Sequence, residues 1–352
     1  MKDRAYDIGS IFEIEDTQIE GALLTEITGR QYFSMCREIL QQIARKYNES
    51  NRVVLIPSYT CGTVIKPFEA EGWNITYYPI GCDLRIKVDK LRQIAFATKP
   101  AIIIAHPYYG AEFNKVEEST LLEIKSHINN ILVIDGTQIA LTSKRLDFAD
   151  YYTASIRKWI AIPDGAFVEP ELEISSGSVN DAYLSLQLEA MRLRYEYVMT
   201  GETDIKERSR VLNKEAIKEL QGYDVSHAMS AFSCKSMAKT NWEEIEKVRK
   251  SNFLCLFKGL SGKQTIRTIY DESDLTTAPL YFPIYCDDRI SVQNTLAEHR
   301  IYAPVLWPMY NETLLIDDDA SYIYQHLLAI PVDQRYTTGD MQEIIEVLNT
   351  IA

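Results

Sequence analysis

Fully apolar runs that alternate with helical stretches constrain the fold more than any other feature of this sequence. Val53–Ile56, Ala101–Ala105 and Ile131–Ile134 contain only apolar residues, most of them β-branched. Such runs are typical of strands that are buried on both faces of a parallel sheet. The segments between them have helical spacing, as in Val88–Phe96 and Asn114–Ser126. The alternation predicts an α/β fold with a mainly parallel central sheet flanked by helices.

The same periodicities predict the remaining elements. Apolar spacing predicts a helix over Gln31–Tyr47, a strand over Ile75–Ile80 and a largely helical region over Glu173–Gln221. We expect an N-terminal arm (1–24), a large domain (25–238) and a smaller α+β C-terminal domain (239–352). In the smaller domain the pattern predicts a helix over Trp242–Leu260, strands over Thr265–Tyr270 and Pro279–Cys286, and helices over Arg289–Arg300, Asp319–Leu328 and Gly339–Ile351.

Composition narrows the class of protein. The 352 residues are 46% hydrophobic and 25% charged, which is ordinary for a globular protein. The formal net charge of −13 argues against nucleic-acid binding, which usually needs a basic face. The sequence has neither a signal peptide nor a membrane-spanning apolar run, so we expect a cytoplasmic protein without membrane contacts. The six cysteines show no metal-binding spacing, and we expect no metal site.

Asp135 is the first candidate functional residue. It follows directly after the apolar run Ile131–Ile134, at the carboxyl end of a predicted strand. In open α/β sheets, ligands bind at that edge. A carboxylate there either caps the following turn or faces a cationic ring nitrogen of a ligand.

Lys158 is the second candidate. It lies in the apolar and aromatic stretch Asp150–Val168, between Arg157 and Trp159. One interpretation is a surface lysine beside a surface arginine. The other is an uncharged amine that attacks a carbonyl and forms a Schiff base.

Together, Asp135, Gln138 and Lys158 resemble the cofactor signature of fold-type-I pyridoxal 5′-phosphate (PLP) enzymes. Within that class the sequence is most similar to the DegT/StrS-type, or nucleotide-sugar, aminotransferases, over Gly29–Tyr336. The resemblance implies an aspartate aminotransferase-like fold whose large domain binds PLP. It also implies a small-molecule substrate and a homodimer with the active site at the subunit interface.

The resemblance assigns roles to these three residues. Lys158 would carry PLP as an aldimine, Asp135 would keep the pyridine nitrogen protonated, and Gln138 would lie near the phenolate oxygen. The implied reaction moves an amino group from an amino acid such as glutamate to a keto acceptor, expected to be a keto-sugar nucleotide. Another PLP-dependent reaction, such as a lyase reaction or an amino-acid transformation, and a non-catalytic member of the family are the alternatives.

Small polar residues are assigned to the cofactor by the same resemblance. Thr153 and Ser155 are expected to hydrogen-bond the phosphate. Gly29 and Arg30 correspond to a small-residue turn that contacts the phosphate at a helix N-terminus, and a simple helix start is the alternative. Ser226 is expected to reach the phosphate of the partner subunit's cofactor, because Asp224 would repel it.

The aromatic that stacks on the pyridine ring is left open. The family's Pro-x-x-Thr-aromatic segment corresponds to Pro57–Cys61, which retains Thr60 but has Cys61 in place of the aromatic. Tyr59, or a tyrosine of the turn His106–Gly110, is expected to take its place.

Overall fold

The computed structural model describes residues 7–15, 29–48, 51–142, 147–174, 176–220 and 225–351. Within these ranges, seven strands form one mixed sheet and three form an antiparallel sheet. The large sheet contains β1 (Gln31–Phe33), β2 (Val53–Pro57), β3 (Asn74–Tyr78), β4 (Ile102–Ala105), β5 (Ile131–Asp135), β6 (Tyr151–Ala154) and β7 (Ala166–Glu169). The small sheet contains β8 (Ile266–Thr268), β9 (Tyr281–Cys286) and β10 (Leu327–Pro331).

The large sheet has the order β1-β7-β6-β5-β4-β2-β3. The pairings that join β3, β2, β4, β5 and β6 are all parallel. β7 pairs antiparallel with both β6 and β1. The predicted mainly parallel sheet is therefore confirmed, and β2, β4, β5 and β6 all end at the same edge.

Helices cover the large sheet and surround the small one. The first four, which follow β1, β2, β3 and β4, are α1 (Cys36–Lys46), α2 (Gly62–Ala70), α3 (Val88–Thr98) and α4 (Lys115–Ile128). The others are α5 (Asp181–Thr200), α6 (Thr203–Lys218), α7 (Ala231–Lys239), α8 (Trp242–Leu260), α9 (Arg289–Glu298), α10 (Asp318–His326) and α11 (Thr338–Ile351). In the described residues no helix is long and apolar enough to cross a membrane.

Local sequence explains where α4 begins and ends. The side chain of Asn114 accepts hydrogen bonds from the backbone N–H groups of Val116 and Glu117. The Glu117 carboxylate in turn accepts from the backbone N–H of Asn114, at 2.9 Å. This reciprocal capping box satisfies N–H groups that lack helical partners. Asn129 ends the helix in the left-handed conformation, which asparagine tolerates better than most residues.

The predicted helix over Gln31–Tyr47 is wrong in its first five residues. Gln31 and Phe33 belong to β1 and pair with Val168 and Ala166 of β7. The apolar side chains in β1 fit helical spacing as well as a strand, and pairing with β7 decides between them. Gly29 consequently lies in a turn before β1, with a φ of 88°, and not at the N-terminus of α1.

One further predicted helix ends earlier than expected, and the predicted helical region is divided in two. The helix predicted over Asp319–Leu328 ends at His326, because the next residues form β10 against β9, with Leu328 opposite Ile284. The helical region Glu173–Gln221 consists of two helices, α5 and α6, separated at Gly201. Gly201 has a φ of 75°, a left-handed conformation that glycine adopts without strain.

The segment 7–15 is attached to the C-terminal half of the chain through a buried carboxylate. Asp7 has no exposed side-chain surface and lies 2.9 Å from Arg194, 2.9 Å from Arg300 and 2.8 Å from Lys206. It also accepts a hydrogen bond from the hydroxyl of Tyr197. Burial by itself would raise the pKa of Asp7, but the three cations outweigh burial and lower the pKa to about 2.

We predict that Asp7→Asn lowers the free energy of unfolding at neutral pH by about 3–5 kcal/mol, because it leaves the buried Arg194, together with the partly exposed Lys206 and Arg300, without this counter-charge. The pKa of Asp7 falls from 3.8 to about 2 on folding. Its stabilisation is therefore complete above the unfolded pKa and is lost as the pH falls through the folded one. The difference between wild type and variant should shrink by about 2 kcal/mol between about pH 5 and pH 2.

Urea unfolding of both proteins across this pH range measures the effect. Glu207→Gln is the control, because Glu207 forms an exposed ion pair with Arg210 and should change stability little at any pH. If the difference in unfolding free energy between wild type and Asp7→Asn stays constant from pH 5 to pH 2, the assignment of a lowered pKa to Asp7 is contradicted.

Candidate functional site

The carboxyl ends of neighbouring parallel strands bring Asp135 and His106 together. Asp135 is the last residue of β5, and His106 directly follows β4. Nδ1 of His106 lies 3.8 Å from Oδ2 of Asp135, while its Nε2 lies 2.9 Å from Oγ1 of Thr60. Burial lowers the pKa of His106; the Asp135 carboxylate opposes this effect and the positive charge of Lys158 adds to it. The lowered pKa favours a neutral imidazole. The ring lies between Asp135, which ends β5, and Thr60, which follows β2.

Thr137 connects Asp135 to the loop that contains Lys158. Its backbone N–H and its hydroxyl both donate to Oδ1 of Asp135, at 3.0 and 2.5 Å. The same hydroxyl accepts from the backbone N–H of Ser155 at 3.1 Å. Its carbonyl accepts from Nε1 of Trp159 at 2.8 Å. Oδ1 of Asp135 is thus occupied, whereas Oδ2 is left for His106 and a ligand.

Lys158 ends a short 3₁₀ turn, Ile156–Lys158, that follows β6. Its side chain is half-buried. In the described part of the chain its amine has neither a hydrogen bond nor an ion pair. Lys158 nevertheless lies close enough to influence two groups of the site, because its charge lowers the pKa values of both His106 and Cys36. The amine therefore lies near His106 and Cys36 without a partner of its own in the described ranges.

The backbone after Lys158 is held by a buried arginine. The carbonyl of Trp159 accepts from Nε2 of Gln334 at 2.7 Å and from Nη2 of Arg249 at 3.4 Å. The Arg249 guanidinium also lies 4.7 Å from the centre of the Trp159 ring. Burial lowers the pKa of Arg249 to about 10, so Arg249 stays charged at neutral pH. The sequence offered no signal for this role, because Arg249 lies within an ordinary amphipathic helix.

Gln138 has a polar atom without a partner. Its Oε1 accepts from the backbone N–H of Tyr109 at 2.8 Å. Its Nε2 is buried, and no group in the described ranges accepts from it. A buried amide donor without an acceptor is unfavourable by about 1–3 kcal/mol. Gln138 therefore has a donor available for an acceptor atom of a ligand.

The N-terminus of α1 also reaches this site, and sequence analysis missed it. Sγ of Cys36, the first residue of α1, lies 3.4 Å from Oγ1 of Thr153. Burial, and secondly the Asp135 carboxylate, raise the pKa of this thiol. Oγ of Ser34 in the turn before α1 is buried without a partner among the described residues. The N-terminus of a helix attracts anions, but no signal in the sequence indicated that α1 begins at Cys36, because the preceding β1 also fits helical spacing.

Three predicted cofactor residues make their contacts elsewhere. Arg30 forms an ion pair with Glu169 at 3.0 Å, and Gly29 precedes it in the turn before β1. The backbone carbonyl of Ser226 accepts from the N–H of Gly177. Gly222, Tyr223 and Asp224, whose motif suggested Ser226, lie outside the described residues.

Two other predicted residues lie beside the site but use their hydroxyl groups in different ways. The hydroxyl of Thr153, on β6, donates to the carbonyl of Phe167 in β7 at 2.8 Å. Ser155 is buried at the start of the Lys158 turn and donates its backbone N–H to Thr137. Ser155 is therefore better placed than Thr153 to offer a hydroxyl to a ligand.

Tyr59 belongs to a buried aromatic cluster beside His106. Its ring centre lies 5.4 Å from that of Tyr108, 5.2 Å from Trp307 and 5.5 Å from Tyr324. Its hydroxyl lies 2.9 Å from that of Tyr109. Burial raises the pKa of Tyr59 well above its ordinary value. Both expected sources of a stacking ring therefore lie in one cluster, and Tyr59 packs within it.

His106 lies between Asp135 and Thr60 at one sheet edge. Thr137 links Asp135 to Ser155 at the start of the Lys158 loop, and Gln138 follows Thr137 in the same turn. Among the described residues no group of three or more His, Cys, Asp or Glu side chains could hold a metal ion. The arrangement offers a carboxylate, an unpaired amine and buried donors, which suits an organic ligand that has a basic ring nitrogen and an anionic group.

Solved structures share this fold. PseC of Helicobacter pylori, an aminotransferase involved in the biosynthesis of pseudoaminic acid, has a TM-score of 0.66 at 13% identity, covering 98% of this chain and 99% of PseC. A DegT DnrJ EryC1 StrS aminotransferase from Brucella abortus has a TM-score of 0.66 at 13% identity, covering 92% and 85%. The PLP form of Spr1654 from Streptococcus pneumoniae has a TM-score of 0.69 at 14% identity, covering 98% of both chains.

At such identities the likeness shows the fold alone. The predicted fold class, the type I fold of PLP-dependent transferases, is thus confirmed. No protein-family model matches the sequence, and no curated protein sequence matches it either.

We predict that Thr137→Val destabilises the protein by about 1–3 kcal/mol, because Asp135 and the Ser155 N–H each lose a buried hydrogen bond. Valine keeps nearly the same shape, so the cavity contribution should be small. Thr137→Ser keeps the hydroxyl, so its free energy of unfolding should fall less than that of Thr137→Val. Urea unfolding of the three proteins measures the difference, and equal stabilities of the valine and serine variants would contradict the bridging role.

Proposed function

We propose that this protein is a PLP-dependent aminotransferase, a divergent relative of the DegT/StrS-type enzymes. The observation that supports this most is that Thr137 hydrogen-bonds both Asp135 and the loop that contains Lys158, at the edge where the parallel strands end. A structural carboxylate and a surface lysine would need no such connection. The shared fold with sugar aminotransferases agrees with this function without establishing it.

The residues of the site fit PLP. Oδ2 of Asp135 is free of hydrogen bonds to the turn that follows β5, and it can face a protonated ring nitrogen. The buried Nε2 of Gln138 and Oγ of Ser34 lack partners in the described ranges, and PLP has a phenolate and a phosphate to accept from such donors. When bound, PLP supplies an electron sink for the carbon that loses a proton.

The protein's own groups then have defined tasks. Asp135 holds the proton on the ring nitrogen, and Thr137 fixes the orientation of the carboxylate. Lys158 would hold the cofactor through Nζ. As a free amine, Nζ of Lys158 would take a proton from the substrate's α-carbon as a general base and return one as a general acid. Arg249 and Gln334 keep the Lys158 loop in place during these steps.

We further propose glutamate as the amino donor and a keto-sugar nucleotide as the acceptor. The support is the fold likeness to sugar aminotransferases, among them one that acts in pseudoaminic acid biosynthesis. A cytoplasmic homodimer with its active site at the interface belongs to the same proposal. Light scattering on purified protein measures the oligomeric state directly.

We predict that added PLP gives the wild-type protein a visible absorption band and that borohydride fixes the cofactor to Lys158. Lys158→Ala should show neither the band nor the fixed adduct, because no other predicted site residue has an amine. Absorption spectroscopy and mass spectrometry of peptides measure both. Lys235→Ala is the matched control, since Lys235 is an exposed lysine on α7. A folded wild-type protein without a band would favour the non-catalytic alternative.

We also predict that glutamate converts the bound cofactor of the wild type to its pyridoxamine form, with loss of the visible band and release of 2-oxoglutarate. Asp135→Asn should slow this conversion by about 100-fold or more, since a neutral amide cannot hold the ring proton by charge. Stopped-flow absorbance and keto-acid detection follow the reaction. If PLP attaches to Lys158 but no amino acid is converted, the lyase alternative replaces the aminotransferase.

A further inference from the structure

A cavity of about 710 Å³ lies next to the proposed cofactor site. Lys158 lines it, together with the segment 9–12, residues of α5 and α6, and residues of α9 and β10. Neither Asp135 nor Gln138 lines it. A molecule in the cavity can therefore reach the amine of Lys158 from a side that leaves Asp135 and Gln138 to the cofactor. The volume is typical of small-molecule binding sites.

The charged lining of the cavity is almost entirely cationic. It comprises five cations and a single carboxylate, namely Arg157, Lys158, Arg210, Lys214, Arg335 and Asp333. This excess is notable in a chain with a formal net charge of −13. Such a concentration of one sign raises the local concentration of ligands of the opposite sign.

Two of these cations already have protein counter-charges. Arg335 forms ion pairs with Asp333 and Glu13, both at 2.8 Å. Arg210 forms an exposed ion pair with Glu207 at 2.9 Å. For Arg157, Lys158 and Lys214, by contrast, the described ranges contain no ion-pair partner. Two of these three cations, Arg157 and Lys158, are consecutive residues, so much of the unbalanced charge lies in the Lys158 turn.

Arg157 is the most constrained of the three. Its Nε is shielded from solvent and has no hydrogen-bond partner in the described ranges. Its backbone N–H donates to the carbonyl of Gly165 at 3.2 Å, which fixes the start of the side chain. A guanidinium cannot give up its proton to relieve this desolvation, unlike an amine. Shielding of Nε without a partner is unfavourable, and an anion bound to this guanidinium would supply the missing acceptor.

We infer that Arg157 binds an oxyanion of the substrate, a carboxylate or a phosphate, and so restricts the substrates to anionic molecules. That this oxyanion belongs to a substrate rests on the proposed function. The existence of an oxyanion site at Arg157 does not depend on that function. The planar fork of a guanidinium matches two oxygens of a carboxylate or phosphate, which an ammonium cannot do. Binding there places the anion beside the neighbouring residue, Lys158, and helps to orient the reacting group toward its amine.

The test measures anion binding to the protein without cofactor. Isothermal titration calorimetry at low salt uses inorganic phosphate and glutarate as separate probes, which distinguish a phosphate from a carboxylate site. We expect wild type to bind at least one probe, and Arg157→Met to bind that probe about 10- to 100-fold more weakly. Arg157→Lys should fall between them, because it keeps the charge and loses the fork.

Arg192→Met is the control for the loss of one positive charge, because Arg192 is an exposed residue of α5 outside the cavity lining. It should bind the probe like wild type. Circular dichroism and thermal melting establish that each variant is folded before titration. The expected order of affinity is therefore wild type equal to Arg192→Met, then Arg157→Lys, then Arg157→Met.

Three outcomes would overturn the inference. The first is that folded wild type binds neither probe, which would mean that protein groups supply the counter-charge. The second is equal binding by wild type and Arg157→Met. The third is that PLP displaces the probe from wild type and Arg157→Met no longer holds PLP, so that Arg157 serves the cofactor.

If the probe binds through Arg157 but PLP never attaches to Lys158, the proposed function fails and the oxyanion site stands.

Discussion

The hydrogen bonds of Thr137 determine the geometry on which the site depends. β5 and β6 are neighbours in the sheet, but sheet pairing does not fix the turns that follow them. Thr137 joins those turns, because its hydroxyl binds both Asp135 and the Ser155 N–H while its carbonyl binds Trp159. The position of Lys158 between Ser155 and Trp159 is therefore defined from both sides. A buried hydroxyl that acts as donor and acceptor at once holds this position better than two separate contacts would.

Polar groups in the core support this arrangement at some distance. Arg249, on α8, is buried and binds the carbonyl of Trp159, so that a helix of the C-terminal part holds the lysine loop of the large sheet. Asp7 attaches the N-terminal segment to α5 and α6 in a similar way. Both contacts are charged, and charged groups in a core are tolerated only with partners. Arg157 is half-buried beside the site, and its Nε has no such partner in the described ranges, which is why we assign it a ligand.

Much of the fold followed from local pattern. The apolar run Ile131–Ile134 predicted a buried strand, which is β5. The apolar spacing of Trp242–Leu260 predicted both ends of α8 correctly. β1 and β10 did not follow, because each adjoins a helix whose apolar spacing continues into the strand. Their strand conformation depends on pairing with β7 and β9, which are distant in the sequence. Local pattern therefore gave the buried parallel strands and the long helices, and tertiary pairing decided β1 and β10.

The sequence by itself supplied the candidate residues of the site. Asp135 at a strand end and Lys158 in an apolar stretch, with Gln138, resemble a PLP cofactor signature. Only the tertiary structure decided which groups join them: His106 from the end of β4, the N-terminus of α1 in place of Gly29 and Arg30, and Arg157 at a cation-rich cavity. The physical reason is that residue type and spacing fix chemistry and local conformation. Distances between strand ends, and the burial that leaves a donor without a partner, arise only when distant segments pack together.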